Sequence, residues 1–137
     1  PQKDIIDVKQ DVSFPSSPGT EVHHIFPKKW IDNNFTQPNF GHWFTSTNDK
    51  DQIGKIKKSI VNLTPLVDQS NKTWSSSSPG TIIPGLKNSK QKSGQPIWKD
   101  RFINGNTFAA LQGDMPTTFL QNRAEEVADW LLAQTTI

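Results

Sequence analysis

Cysteine is absent from this chain of 137 residues. Its absence excludes disulfide bonds, zinc fingers of the cysteine type and thiol chemistry, and it fits a reducing cytosol. Hydrophobic residues are also scarce, at 32% of the sequence, whereas Gly, Pro, Ser and Asn are plentiful. We therefore expect one domain with a modest core, in which short elements are joined by long loops.

Long apolar runs are missing as well. No stretch is apolar enough over sufficient length to span a membrane, and no signal-peptide pattern is present. We therefore expect a cytoplasmic protein with no membrane partner. The chain opens without Met and closes on a predicted helix, which we interpret as the sign of a fragment of a larger protein.

Charge of one sign is not in large excess, because the formal net charge is only +2. Lysines nevertheless fall into clusters, and acidic residues collect near the C-terminus. One cluster contains Lys50, Lys55, Lys57 and Lys58, and the other contains Lys87, Lys90 and Lys92. Such clusters suit a polyanion such as nucleic acid. The alternative is that these lysines are only solvated on a surface helix and a loop.

The stretch 21–30, Glu-Val-His-His-Ile-Phe-Pro-Lys-Lys-Trp, contains two of the three histidines of the chain. The pattern predicts a short strand that ends before Pro27 and brings His23 and His24 to its exit. Imidazole accepts protons near neutral pH and binds metal ions. The alternative is a buried strand end whose histidines form structural hydrogen bonds. The third histidine, His42, is expected on the surface of a loop.

The remaining segments favour a mixed α+β fold. A second strand is predicted over residues 60–67, broken by Pro65, and a helix that begins near Asp68 carries Trp74. Apolar spacing predicts a helix over 49–60 with Ile53, Ile56 and Ile60 on one face. Segments 33–48 and 81–96 lack periodicity and are predicted to be loops. A last helix is predicted to begin near Asp114 or Thr117 and to carry Phe119, Leu120, Ala124, Val127 and Leu131.

Three separated segments together resemble the HNH, or His-Me finger, nucleases. They are Val22-His23-His24-Ile25-Phe26-Pro27, the single residue Asn62, and Asn71-Lys72, which begins nine positions after Asn62. The segments His-His-Ile-Phe-Pro-Lys, Val-Asn-Leu-Thr and Ser-Asn-Lys look like the C-terminal nuclease domains of GmrSD-like, modification-dependent restriction and anti-phage proteins.

The resemblance implies an α+β fold with a ββα-metal core over about residues 20–80. Short strands, long loops and additional helices, including a C-terminal helical part over about 97–137, complete a single nuclease domain spanning 1–137. It also implies DNA as the substrate. In the full-length protein, an N-terminal NTP-using or sensor domain would precede the nuclease.

The same resemblance assigns a role to each motif residue. His24 is the general base that takes a proton from water, His23 and Asn71 hold one divalent metal ion, and Asn62 ties the two strands and orients His24. Mg²⁺ or Mn²⁺ is the expected ion, and Co²⁺ and Ni²⁺ also suit a site that contains imidazole. The lysines assigned to nucleic-acid binding are Lys28, Lys57, Lys58 and Lys72.

Two other functions fit the same residues. A nucleic-acid-binding module could keep a degenerate ββα fold without cutting, and an interaction domain could use its histidines only structurally. Adjacent strand residues point to opposite faces. His23 and His24 can therefore serve one site only if the site lies at the end of the strand.

Overall fold

A computed structural model describes residues 2–12, 19–41, 50–86, 89–92 and 97–135. Strands and helices both occur, so the predicted α+β class is confirmed. The strands are β1 (Gln2–Lys3), β2 (Asp11–Val12), β3 (Thr20–His24) and β4 (Leu63–Val67). The helices are α1 (Lys28–Asn34), α2 (Lys50–Lys58), α3 (Asp68–Trp74), α4 (Pro79–Ile82), α5 (Ser89–Lys92), α6 (Gly105–Gln112) and α7 (Pro116–Thr135). Over these ranges, none of the helices combines the length and apolar composition that crossing a bilayer needs.

β3 and β4 form an antiparallel pair, and α3 follows β4 directly. The register places Thr20 opposite Val67 and His24 opposite Leu63. α3 packs on both strands, and at its end the ring of Trp74 lies 4.5 Å from that of His23. The exit of β3 and the last turn of α3 therefore lie next to each other.

Pro65 does not break the second strand, contrary to the sequence prediction. It lies opposite Val22, and the neighbouring bonds from Ile25 N to Asn62 O and from Asp68 N to Gly19 O set the alternation of the pair. Pro65 consequently occupies a position without inter-strand hydrogen bonds. Proline is tolerated there because its missing N–H removes no hydrogen bond between the strands.

The chain before β4 forms a 3₁₀ turn, Ile60–Asn62, instead of the predicted strand start. The Oγ atom of Ser59 accepts a hydrogen bond from Val61 N and caps this turn. Ile60 is 70% exposed, whereas Ile53 and Ile56 on α2 are buried. The predicted shared apolar face is therefore correct for two of these isoleucines and wrong for Ile60, which lies beyond the end of the helix.

Two predicted loops contain short helical segments. A 3₁₀ turn, Pro38–Phe40, lies within the predicted loop 33–48. α4 runs into the predicted loop 81–96, which also contains a 3₁₀ turn, Ile83–Gly85, and α5. Proline begins several of these segments because its fixed φ suits the first turn of a helix. The predicted position of His42 falls outside the described residues.

The core lies between the β3–β4 pair, α1, α6 and the first half of α7. Its largest fully buried apolar side chains are Trp74, Trp98, Phe26, Phe40, Phe119, Ile5, Ile25, Ile31, Leu66, Ile83 and Ile103. α7 is predicted correctly as the long last helix, but its burial ends near Arg123. Leu131, which was expected on the buried face, is 52% exposed.

Candidate active site

A cleft of about 480 Å³ lies where β3 ends, beside the start of α1 and the end of α3. Both histidines of the motif reach it, because β3 ends at His24 and the backbone turns away there. His23 is only 4% exposed and packs on Trp74, whereas His24 is half-buried. The cleft is lined by Val22, His23, His24, Pro27, Lys28, Lys29, Asn71, Lys72, Ser75 and Ser76.

His23, Asn71 and Glu21 form a hydrogen-bonded chain. The Nδ1 atom of His23 lies 2.7 Å from Asn71 Oδ1, and Asn71 Nδ2 donates to Glu21 Oε2 at 2.6 Å. A carboxylate can only accept, so Glu21 turns the amide nitrogen of Asn71 toward itself and the amide oxygen toward His23. His23 Nδ1 is then the donor, and its Nε2 atom carries the lone pair. These three residues and His24 are called the cleft cluster below.

The Nε2 atom of His23 is buried and has no hydrogen-bond partner among the described residues. Burying a polar atom without a partner costs free energy, and such atoms are few in folded proteins. Moving the ring proton from Nδ1 to Nε2 would lose the bond to Asn71 and bury an N–H without a partner, so the tautomer that donates to Asn71 is favoured while no ion is bound. An ion bound at Nδ1 would take the place of that proton.

Both histidines of the cleft are neutral at pH 7. Burial lowers the pKa of His23 to about 4, although the hydrogen bond to Asn71 opposes this shift. Burial, and then the positive charge of Lys28, lower the pKa of His24 below its ordinary value. A neutral imidazole can accept a proton or bind a cation, and an imidazolium can do neither.

Asn62 fastens the chain that follows His24. Its side chain is fully buried, with Oδ1 accepting from Phe26 N at 2.9 Å and Nδ2 donating to Phe26 O at 3.0 Å. Its backbone oxygen accepts from Ile25 N at 2.7 Å. These three bonds fix the backbone of the two residues directly after His24, and with it the exit of β3.

Three lysines, Lys28, Lys29 and Lys72, give the cleft a positive rim. Lys72 Nζ lies 3.0 Å from Asp68 Oδ2, but both side chains are more than half exposed, so the pair is weak. Lys57 and Lys58 lie on α2 and do not line the cleft. Lys57 instead forms an ion pair with Asp32 at 2.8 Å.

Some residues in the cleft or bonded to its lining have no role predicted from the sequence. Glu21, which bonds to Asn71 but does not line the cleft, could have been found, because it stands two positions before His23 on a strand and so shares its face. Lys29 follows Lys28 and could also have been included. Ser75 and Ser76 have no such signal, because they reach the cleft only through the left-handed backbone, with φ of 52° at Ser75, that ends α3.

The donor atoms of His23 and Asn71 fit a divalent metal ion. An imidazole nitrogen and an amide oxygen are both ligand types for such ions, and here they adjoin each other through a hydrogen bond of 2.7 Å, whose proton would have to leave Nδ1 before an ion could bind both atoms. Within the described ranges, no group of three His, Cys, Asp or Glu side chains is arranged to hold an ion. The set is thus small, one imidazole and one amide.

No protein-family model, curated protein or solved structure matches the chain. Function is therefore inferred from the geometry and chemistry of the cleft.

Proposed function

We propose that this chain is a metal-dependent endonuclease domain of the HNH type that hydrolyses phosphodiester bonds of DNA. One observation carries the proposal: the same cleft is lined by the neutral His24, by His23 and Asn71 as possible metal ligands, and by three lysines. The cleft lies at the end of an antiparallel strand pair that runs directly into a helix, which is the order of elements in a ββα core.

His23 and Asn71 would hold the divalent ion, with Glu21 keeping the oxygen of the Asn71 amide directed toward His23. The bound ion would supply positive charge to the phosphate and to the departing oxygen. Burial keeps His23 neutral at pH 7, so a proton need not be displaced from an imidazolium before the ion binds.

His24 is the proposed general base. It is half-buried in the same cleft, and its lowered pKa leaves a ring nitrogen free to accept a proton at neutral pH. In the proposed step, a water oxygen forms a bond to phosphorus, its proton passes to His24, and the phosphorus–oxygen bond on the opposite side breaks. The departing alkoxide takes a proton from solvent.

The lysine rim supports a nucleic-acid substrate. Lys28 and Lys29 have no ion-pair partner among the described residues, and the partner of Lys72 is exposed. Phosphates can therefore bind these side chains without displacing a buried bond. Lys57 and Lys58 would contribute only if the DNA extends past the cleft toward α2.

The residue resemblance to GmrSD-like proteins supports a role as the effector of a restriction or anti-phage defence protein. In such an arrangement, an N-terminal NTP-using or sensor domain would govern when the nuclease acts. The two histidines differ in exposure: His23 is buried, as suits a metal ligand, and His24 is half-buried, as suits a base that meets water. This difference supports catalysis over binding alone.

Plasmid nicking with Mg²⁺ or Mn²⁺ tests the proposal. We expect the parent to nick supercoiled DNA and His24→Ala to lose rate by about 10²–10⁴-fold. Thr20→Ala is the matched control, because Thr20 is also half-buried on β3 but lies at the opposite end, away from the cleft. Equal rates in parent and His24→Ala would exclude the proposed base, and DNA binding without nicking in the parent would favour a binding module.

A metal series tests the ligand at position 23. Mn²⁺, Co²⁺ and Ni²⁺ accept imidazole more readily than Mg²⁺ does, so we expect them to support nicking at least as well at equal concentration. His23→Asp should shift the preference toward Mg²⁺. An unchanged ranking in His23→Asp would show that His23 is not a ligand.

A further inference from the structure

Arg123 is a buried arginine on α7, a helix that contains none of the predicted site residues. It is 8% exposed, and it marks the end of the buried part of the helix. Its Nε atom donates to Arg101 O at 3.0 Å, and its Nη1 atom donates to Val61 O at 2.8 Å and to Leu63 O at 2.9 Å. Among the described residues, the guanidinium therefore binds backbone oxygens and no acidic side chain.

Two of these acceptors are the carbonyls on either side of Asn62. Asn62 in turn binds the backbone of Ile25 and Phe26 through its side chain and its own carbonyl. The contacts run from α7 through Arg123 to residues 61–63, and from Asn62 to the chain immediately after His24. Every link is a hydrogen bond of 3.0 Å or shorter.

Burying a guanidinium to support a turn carries a desolvation cost. Removing it from water costs free energy, and burial lowers the pKa of Arg123 to about 10, which still leaves it charged at pH 7. What the guanidinium provides is geometry, because its planar fork fixes several acceptors at once. Here it binds the carbonyl oxygens of the residues before and after Asn62 and so holds the backbone around that residue.

We propose that Arg123 is a positioning residue for His24. It holds the peptides around Asn62, and Asn62 holds the backbone at the exit of β3. This inference rests on the proposed nuclease function. It means that residues outside 20–80 help to place the base, because Arg123, where this chain of hydrogen bonds begins, lies on the C-terminal helix.

The test compares Arg123→Lys and Arg123→Gln with Leu111→Ala. Lysine keeps the charge but not the fork, and glutamine leaves no buried charge. Leu111 is fully buried on α6, so its truncation lowers stability without touching the Asn62 contacts. All variants are assayed at a temperature where urea titration shows each to be folded.

We expect both Arg123 variants to lose about tenfold in kcat, since small displacements of a catalytic group are costly. KM and Mn²⁺ affinity should stay at the parent values, and Leu111→Ala should keep the parent kcat. A parent-like kcat in Arg123→Lys and Arg123→Gln would overturn the proposal. So would an equal loss in Leu111→Ala, or a failure of both Arg123 variants to fold, because Arg123 would then act only on stability.

Amide hydrogen exchange gives a readout that needs no nuclease activity. The amides of Ile25 and Phe26 donate to Asn62, and in the Arg123 variants they should exchange about tenfold faster than in Leu111→Ala of equal global stability. If the parent does not cut DNA but these amides respond, the nuclease function fails and the support by Arg123 stands. Unchanged exchange at both amides would contradict the support itself.

Discussion

Two polar clusters contact the β3–β4 pair, and they differ in how completely they are bonded. In the cleft cluster, His23 Nε2 is buried without a partner among the described residues, and the His24 side chain, which lines the cleft, forms no hydrogen bond within them. The arginine cluster consists of Arg101 and Arg123 with their acceptors, and its buried donors all have partners within the described ranges.

The difference separates residues that can bind a ligand or a proton from residues that stabilise the backbone. Free lone pairs on neutral imidazoles can still bind an ion or accept a proton. A guanidinium has donors and no lone pair, so it can do neither, and with its donors bonded its contribution is to fix the strands. Substitutions in the arginine cluster should therefore act first on stability or geometry, and substitutions in the cleft cluster should act first on binding and rate.

Arg101→Ala gives the largest stability effect that we expect. Arg101 is 2% exposed and donates to Thr64 Oγ1, Ile97 O and Lys3 O. Its removal leaves buried acceptors without partners, and the free energy of unfolding should fall by about 3–5 kcal/mol. Urea titration at pH 7 measures the loss. Lys99→Ala, an exposed change in the same turn, is the control, and an equally small loss in both variants would contradict the role assigned to the arginine cluster.

Acid should destabilise the metal-free protein through His23. Its pKa is about 4 when folded and 6.5 ordinarily, so below pH 6.5 the unfolded chain binds a proton that the folded chain does not. Stability is unaffected above pH 6.5, falls as the pH drops toward 4, and is lower by about 3 kcal/mol below that. The groups that act on this pKa besides burial are Asn71, His24 and Asp4.

Urea titrations of parent and His23→Gln between pH 7 and pH 4 measure this effect. The variant cannot titrate at position 23, so the difference between the two proteins isolates His23 from the carboxylates, which also titrate in acid. Parallel curves for parent and variant would mean that His23 is not held neutral by burial.

Glu21→Gln sharpens the comparison within the cleft cluster. The carboxylate is exposed and fixes the orientation of the Asn71 amide; an amide at position 21 can donate as well as accept and no longer enforces it. Mn²⁺ affinity should fall about tenfold, as for other residues that orient a metal ligand, while stability stays near the parent value. Calorimetric titration measures the affinity, and Gln69→Ala on the exposed side of α3 is the control.

The smallest effects concern the lysines. Lys28→Ala should raise KM for DNA a few-fold and reduce the salt slope of binding by about 1, because in the proposed nuclease it would remove one phosphate contact in the cleft. Lys57→Ala should change KM less, since Lys57 lies outside the cleft and is paired with Asp32. A larger effect from Lys57→Ala would mean that DNA crosses α2.

Local signals made much of the β3–β4 pair and the helix that follows it predictable from the sequence. Pro27 ends the extended chain, Asp68 lies in the first turn of α3, and the apolar residues after the histidines enter the core. The support by Arg123 was not predictable, because its acceptors at Val61 and Leu63 lie 62 and 60 positions away. No periodicity or composition encodes such contacts.

The same limit applies to the cleft. The sequence places His23 and His24 at a strand end, but the bond between His23 and Asn71 spans 48 positions and follows only from the way α3 packs. Burial of α7 was overestimated for a similar reason. Helical spacing shows that a face is apolar, but not how much of that face finds a partner, and Leu131 remains exposed.

The central claim is tested most directly by measuring Mn²⁺ binding and single-turnover plasmid nicking side by side. The proteins compared are the parent, His24→Ala and Asn71→Ala. The account predicts that His24→Ala binds Mn²⁺ as the parent does and fails to nick. It predicts that Asn71→Ala binds Mn²⁺ weakly and regains part of its rate at high Mn²⁺ concentration. Nicking by His24→Ala at the parent rate, or unchanged Mn²⁺ affinity in Asn71→Ala, would contradict the division of roles within the cleft cluster.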